Sequence, residues 1–168
     1  MTTILSIDPG NTESGWALID ANTRGALQFG KSSNNDLRTW LLDGELKADF
    51  CAIEMVASYG MAVGKDVFET CVWIGRFLEC VEGCVEGGTR LVYRRPVKMH
   101  FCHSAKAKDS NVTQALVDRF APGQPNHGKG TKVAPGWFHG FRSDVWQSYA
   151  LAVYMADLLE ERNGDPIA

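Results

Sequence analysis

Residues 4–20, ILSIDPGNTESGWALID, carry the strongest structural signal in the sequence. An apolar run ends at Asp8, Pro9 and Gly10 follow as a turn signal, and a second apolar run returns through Trp16. This pattern predicts a strand, a tight turn and a second, returning strand. Asp8 would then lie where a buried strand reaches the surface, either as a turn-forming residue or as a metal ligand.

Length and composition indicate a single folded unit. The chain has 168 residues, enough for one domain with a substantial core, so we expect one domain over residues 1–168. No apolar run reaches the ~20 residues that a membrane span needs. The N-terminus lacks a basic segment followed by an apolar one, so no secretory signal is expected. We therefore expect a cytoplasmic protein that does not contact membranes.

The charge distribution is more informative than the net charge of −3, which by itself argues against a DNA-binding protein. Residues 87–143 hold ten Lys and Arg against two Asp and Glu, whereas the segments before and after them are acidic. A contiguous basic block in an acidic protein predicts a face that binds a polyanion. The alternative is that these charges are scattered over an ordinary solvated surface.

Later segments predict an alternation of strands and helices. Residues 26–30 predict a third strand, which pairs with the second as a hairpin, and residues 48–54 predict a buried strand that ends in the carboxylate of Glu54. Residues 89–93 predict a further strand. Helical spacing follows Asn34, runs from about Val63 to Val81 with an apolar face that is core or dimer interface, and returns after Asp109 and from Asp144 to about Arg162.

Residues 121–140 are rich in glycine and proline and contain Lys129 and Lys132. This composition predicts a mobile basic loop. Its lysines either reach a phosphate backbone or belong to a plain surface excursion.

Three acids share a pattern, because Asp8 and Glu54 end predicted strands and Asp144 begins the last predicted helix. Each has an ordinary alternative, and for Asp144 it is the helix N-cap, where aspartate is favoured. Together they describe a carboxylate cluster that suits Mg²⁺, which prefers oxygen ligands.

Four motifs strengthen this interpretation: Ile7-Asp8-Pro9-Gly10 with Ser14-Gly15-Trp16-Ala17, Ala52-Ile53-Glu54, the basic segment from Val97-Lys98 to Lys108, and Asp144 with Ala150-Leu151-Ala152. In this order they resemble the RuvC-type Holliday-junction resolvases of the ribonuclease H-like superfamily. The resemblance implies an α/β ribonuclease H-like fold, with a mixed central sheet of three antiparallel strands and then parallel strands, flanked by helices. The compact, divergent sequence resembles a bacteriophage-type member, which would act in the host cytoplasm.

The resemblance implies a metal-dependent endodeoxyribonuclease that cuts Holliday junctions and other branched DNA by phosphodiester hydrolysis, with symmetric paired cuts by a homodimer. It implies two Mg²⁺ ions per active site, with Mn²⁺ as a substitute. Asp8, Glu54 and Asp144 are the implied catalytic metal ligands, with Asp8 bridging the ions. A fourth ligand is implied near Asp144, and Gln147 or His139 could supply it.

The resemblance also implies basic residues that contact DNA. Lys98 and Lys108 would contact phosphates or the developing charge, with Lys108 as a catalytic residue and Lys106 as its possible replacement. An aromatic residue after the second acid would probe the junction, and Tyr59 lies in that loop, although it could equally be a packed loop aromatic. The remaining predicted DNA contacts are Arg94, Arg95, Lys129 and Lys132.

The sequence leaves three alternative hypotheses about function. One is another ribonuclease H-like nuclease that cuts RNA–DNA hybrids or general branched DNA, since the same three acids would serve it. A second is a junction-binding protein whose metal site has decayed, which Gln147 in place of a charged ligand makes worth testing. The third, a sugar-kinase or actin-like ATPase, needs two such domains, and 168 residues cannot supply them.

Overall fold

The computed structural model describes residues 1–164, and the last four residues of the predicted domain lie outside them. Within residues 1–164, a five-stranded sheet with the order β3-β2-β1-β4-β5 is covered by helices on both faces. The strands are β1 (Thr3–Asp8), β2 (Glu13–Asp20), β3 (Ala26–Ser33), β4 (Phe50–Met55) and β5 (Thr89–Tyr93). The helices are α1 (Asn34–Asp43), α2 (Lys65–Glu82), α3 (Arg94–Cys102), α4 (Asp109–Phe120) and α5 (Ser143–Gly164).

The pairing of the strands confirms the predicted mixed sheet. β1 to β3 pair antiparallel, and β1, β4 and β5 pair parallel. Successive side chains of a strand point to opposite faces. On β1, Leu5 and Ile7 therefore pack toward α1 and α2, whereas Ile4 packs toward α3, α4 and α5. Both faces of the sheet are thus buried, which explains the nearly continuous apolar runs of β1 and β4.

Helix α5 is fixed to the sheet by a buried hydroxyl. Ser6 is fully buried on β1, and its Oγ donates to the backbone oxygen of Ser148 at 2.5 Å. Ala150 and Ala152 are both fully buried, and their small side chains allow this part of α5 to pack closely against the sheet. This anchor sets the register between α5 and β1, on which the position of Asp144 depends.

Gly15 allows the start of α5 to approach β2 closely. A Cβ atom at this position would lie 2.6 Å from the backbone oxygen of Asp144 and 3.3 Å from its Cβ. Any side chain would therefore push the first turn of α5 away from the sheet.

Several helix boundaries differ from those that the sequence pattern predicts. Ser33 is the N-cap of α1 and accepts a hydrogen bond from the Asp36 backbone N–H, where the Asn-Asn-Asp run had suggested a cap. Helix α3 begins at Arg94, two residues before Pro96, because proline is tolerated in a first turn, where its missing N–H leaves no hydrogen bond unmade. Helix α2 begins at Lys65, two residues after the Val63 at which the sequence pattern predicts its start.

Asp157, at the far end of α5, is the centre of a largely buried polar cluster. It accepts hydrogen bonds from Arg24, Arg119 and His100, the shortest of them 2.7 Å. Burial raises the pKa of Asp157, but the hydrogen bonds from His100, Arg119 and Arg24 outweigh burial and hold it well below its usual range. The cluster ties α3, α4 and α5 to the β2–β3 turn.

Residues 121–142 connect α4 to α5 and pack partly on the core. Phe138 is fully buried, and the Trp137 indole stacks on Phe120 and donates to the Tyr149 hydroxyl at 3.0 Å. The tip closes in a turn in which the Thr131 N–H donates to the Ala134 oxygen. Among residues 1–164, no helix is both long and apolar enough to cross a membrane.

Candidate active site

Two of the predicted acids lie side by side at one edge of the sheet. Asp8 is the last residue of β1, and Glu54 is on the neighbouring strand β4. The parallel register pairs Ile7 with Ile53, so the next residue on each strand is an acid. Parallel strands end at the same edge of a sheet, and the equal register directs both carboxylates to the same face.

The third acid reaches this edge from α5. Ser6 on β1 contacts Ser148 on α5. Asp8 lies two residues after Ser6 on the strand, and Asp144 lies four residues before Ser148 on the helix. Two strand residues span about 6.6 Å and four helix residues about 6 Å, so the two carboxylates arrive at the same level. Asp8 and Asp144 both line a cleft of about 260 Å³, whose other walls are Lys31, Gly15 and residues 9–13.

Burial and mutual repulsion affect the protonation of Asp8 and Glu54. Burial, followed by the nearby charge of Glu54, raises the pKa of Asp8 to about 8, and Asp144 adds to the rise. Burial also raises the pKa of Glu54, against the opposing effect of Arg94. Both acids therefore release their protons less readily than free carboxyl groups when no further cation is present.

Arg94, predicted as a DNA contact, lies among these acids. Its Nε is 3.0 Å from Glu54 Oε1, its Nη2 is 3.8 Å from Asp8 Oδ2, and its Nη1 is 3.3 Å from Asp109 Oδ2. Since Arg94 follows β5 directly and β5 pairs with β4, its guanidinium lies beside the end of β4. The side chain is about one third exposed, so solvent can reach it.

Lys31 holds Asp144 and is a residue that sequence reasoning missed. Its Nζ is 2.7 Å from Asp144 Oδ2, and the hydrogen bond and charge of Asp144 raise the pKa of Lys31. The antiparallel registers pair Asp8 with Gly15 and Gly15 with Lys31, so the three lie in one row across the sheet. The predicted hairpin of β2 and β3 was the signal that, with a register assigned, could have found Lys31.

The donor set fits a divalent cation in its chemistry. Asp8, Glu54 and Asp144 offer oxygen atoms only, as Mg²⁺ prefers, and the raised pKa of Asp8 shows that its buried charge lacks full compensation. Within residues 1–164, however, no three acidic, histidine or cysteine side chains are grouped closely enough to hold a metal ion. In this arrangement Asp144 is paired with Lys31, and Glu54 is paired with Arg94.

The pKa of Asp8 predicts a pH-dependent effect of Asp8→Asn on the stability of the metal-free protein. The unfolded carboxyl loses its proton near pH 4, whereas the folded one keeps it until about pH 8, so folding takes up a proton between these values. The contribution of Asp8 to wild-type stability therefore falls as the pH rises through this window. We expect equal stability of the two proteins near pH 4 and an advantage of about 2 kcal/mol or more for Asp8→Asn at pH 8. Urea unfolding in a chelator, repeated across the window, measures the difference, and a difference that does not change with pH contradicts the prediction.

A second, cationic cavity adjoins the acids. Tyr59, Arg94, Arg95 and Lys98 line a space of about 230 Å³, closed by Ala105. Tyr59 has a left-handed backbone (φ 49°) and a side chain that is 64% exposed, so its ring is presented to solvent. Lys98 Nζ is 4.0 Å from Asp109 Oδ1.

The other predicted site residues are more dispersed. Lys106 and Lys108 are exposed before α4, and Lys108 is its N-cap residue. Lys129 and Lys132 lie in the connection before α5. Gln147 is half-buried on α5, outside the set of residues that line the acidic cleft, and exposed His139 directs Nδ1 to the Lys129 oxygen at 3.2 Å.

No family model and no curated protein sequence matches the chain. Solved structures do match. A structure of RuvC from Thermus thermophilus superimposes with a TM-score of 0.69 at 15% identity, covering 99% of this chain and 100% of that chain. The chain has the RuvC fold. T. thermophilus RuvC in complex with a Holliday junction substrate matches with a TM-score of 0.68 at 13% identity, with 99% and 100% coverage. The predicted ribonuclease H-like fold and its likeness to RuvC are thus confirmed, over all of RuvC and nearly all of this chain.

Proposed function

We propose that this protein is a metal-dependent endodeoxyribonuclease that resolves four-way DNA junctions. The observation that carries the proposal is the position of Asp8, which lies beside Glu54 on the neighbouring strand and shares a cleft with Asp144, in a chain with the RuvC fold. T. thermophilus RuvC has been captured with a Holliday junction substrate. A shared fold does not assign an activity, so the acids and the adjoining basic surface support the proposal.

In this proposal Asp8, Glu54 and Asp144 would hold the Mg²⁺ or Mn²⁺ ions through their carboxylate oxygens. Bound divalent ions supply an activated water and stabilise the leaving oxyanion in phosphodiester hydrolysis. The protein orients the carboxylates through the β1–β4 register and the Ser6–Ser148 contact. As a fourth ligand, Gln147, one helical turn after Asp144, would offer a neutral oxygen, and His139 would offer a ring nitrogen.

The basic residues near the acids are proposed to bind the DNA backbone. Arg95 and Lys98 lie in the cavity beside Arg94 and supply positive charge within reach of a phosphate next to the cut. Tyr59, exposed on the same rim, offers a ring on which an unpaired base can stack. Lys108, with Lys106 as a substitute, would approach the scissile phosphate, and Lys129 and Lys132 would contact a more distant part of the backbone.

A homodimer is proposed because α2 carries unpaired apolar surface. Phe68 and Val72, one turn apart on α2, are 62% and 54% exposed, and Gly75 continues the same side of the helix without a side chain. A large apolar side chain exposed in this way is stabilised by burial against a second copy. Two active sites would then act on opposite strands of a junction.

Phe68→Asp is expected to convert the dimer to a monomer, because it places a charge in the apolar contact between the two copies. A central interface aromatic contributes about 2 kcal/mol or more, so the dissociation constant should rise at least about thirtyfold. Sedimentation or light scattering at micromolar protein measures the change. Leu42→Asp, which alters a side chain 53% exposed on α1, is the matched control and should leave the dimer intact. A monomeric wild-type protein, or a dimeric Phe68→Asp protein, contradicts this assignment.

The proposed activity is tested with matched substrates: a four-way junction, a linear duplex and an RNA–DNA hybrid, each with Mg²⁺ or Mn²⁺. We expect cleavage of the junction in preference to the other two. Preference for the hybrid would instead assign the protein to another class of ribonuclease H-like nuclease. Tight junction binding without cleavage in either metal would favour a non-catalytic junction-binding protein.

A further inference from the structure

Arg94 contacts two of the proposed metal ligands and also lines the cationic cavity that is proposed to bind DNA. Its guanidinium pairs with Glu54 at 3.0 Å and approaches Asp8 at 3.8 Å, so it lies against both of the acids that end parallel strands. The same side chain lines the cavity of Tyr59, Arg95 and Lys98. It is about one third exposed, which leaves it room to move between the two.

From this geometry we infer that Arg94 is an internal counter-ion of the acid pair, which a divalent ion must displace and which is then free to bind a DNA phosphate. The inference rests on the proposed metal site, and it gives Arg94 a role that differs from a simple DNA contact. In the metal-free protein, Arg94 lies against the carboxyl groups of both Asp8 and Glu54 and compensates the negative charge that this pair carries. A divalent ion would bind the same carboxylate oxygens. The guanidinium and the ion therefore compete for them.

The neighbours of Arg94 show where it can go. Asp109 contacts Nη1 at 3.3 Å and is a partner that does not belong to the pair of Asp8 and Glu54. Arg95 and Lys98 beside it make the cavity strongly positive, so a released Arg94 is stable there only when an anion enters. A phosphate group of DNA is such an anion, and Arg binds phosphate with two parallel hydrogen bonds.

Two consequences follow. The ion pair lowers the affinity of the DNA-free protein for the divalent ion, because binding includes the loss of that pair. It also couples the two ligands, since a phosphate that holds Arg94 in the cavity leaves the acids open to the ion. Reciprocity requires that each ligand strengthens the binding of the other by the same factor.

The test is Mn²⁺ binding to the DNA-free protein, followed by calorimetry or by the loss of the free Mn²⁺ resonance signal. We expect Arg94→Gln to bind Mn²⁺ about tenfold more tightly than the wild-type protein, within the range typical of coupled sites. The Mn²⁺-induced rise in melting temperature should also be larger for Arg94→Gln, because stabilisation grows with ligand affinity. Arg94→Lys keeps the charge without the two-pronged geometry and should lie between the two.

Arg95→Gln is the matched control, because it removes a neighbouring charge in the same cavity that is not paired with the acids, and it should change Mn²⁺ affinity by much less. Asp8→Asn distinguishes a failure of the proposed metal site from a failure of the role inferred for Arg94. If Asp8→Asn leaves Mn²⁺ binding unchanged, the metal site itself is wrong. If Asp8→Asn weakens binding but Arg94→Gln and Arg94→Lys both bind Mn²⁺ as the wild-type protein does, the metal site stands and the role of Arg94 is overturned.

Discussion

Asp8→Asn is expected to lower the rate of junction cleavage by on the order of 10³-fold or more, while junction binding in the absence of metal stays within a few-fold of wild type. In the proposed site, loss of a carboxylate that would hold the metal ions removes several kcal/mol of stabilisation from the transition state, and about 4 kcal/mol corresponds to a 10³-fold change in rate. Binding survives because the basic surface that contacts phosphates is unchanged, and the amide is isosteric with the carboxyl.

Single-turnover cleavage of a labelled junction measures the rate, and a gel-shift titration in a chelator measures binding. Asp43→Asn, an exposed carboxylate at the end of α1, is the matched control and should cleave at the wild-type rate. Cleavage by Asp8→Asn within tenfold of wild type would remove Asp8 from the catalytic centre. Because Asp8→Asn is also expected to be more stable than wild type at pH 8, a loss of activity there cannot be assigned to unfolding.

Asp157→Asn is expected to destabilise the fold strongly. Asp157 is 11% exposed and faces Arg24, whose side chain is 8% exposed, so the substitution leaves the buried guanidinium with only the exposed Glu160 as a charge partner. Breaking a buried pair from one side costs about 3–5 kcal/mol. For a protein of this length, that predicts a fall in melting temperature of about 6–20 °C.

Thermal and urea unfolding measure the loss, with Glu160→Gln as the matched control. Glu160 also contacts Arg24, but it is 75% exposed, so its removal should cost less than about 1 kcal/mol. Since the carboxyl of Asp157 has a lowered pKa, its contribution to wild-type stability is present above about pH 4 and declines only in strong acid. Equal effects of the two substitutions would mean that the cluster is not a buried support of the fold.

The strands and the acids could be predicted from the sequence because their signals are local. The apolar run that ends at Asp8 and the one that ends at Glu54 each predict a strand and the position of its last residues. If these strands pair in parallel and end at the same edge of the sheet, their two acids lie close together. Asp144 could be expected near them only through the likeness to RuvC, since the Ser6–Ser148 contact that sets its level spans 142 residues of sequence.

The basic partners of the acids could not be predicted in the same way. The positive charge of Arg94 predicted a DNA contact, but the direction of its side chain depends on how β5 packs beside β4. From sequence alone, a phosphate and a carboxylate are equally reasonable partners. The Asp157 cluster joins residues from four separate segments, with no spacing that connects them. Ion pairs of this kind are decided by packing, which a single sequence does not encode in a local pattern.

The most direct test of the central claim is to map the cuts that the wild-type protein makes in a four-way junction with Mg²⁺, using each of the four strands labelled in turn. The account predicts paired cuts at symmetric positions in two opposing strands, giving two nicked linear duplexes, with no cuts in the chelator control. Cuts confined to one strand, equal cutting of the linear duplex, or faster cutting of an RNA–DNA hybrid would contradict it.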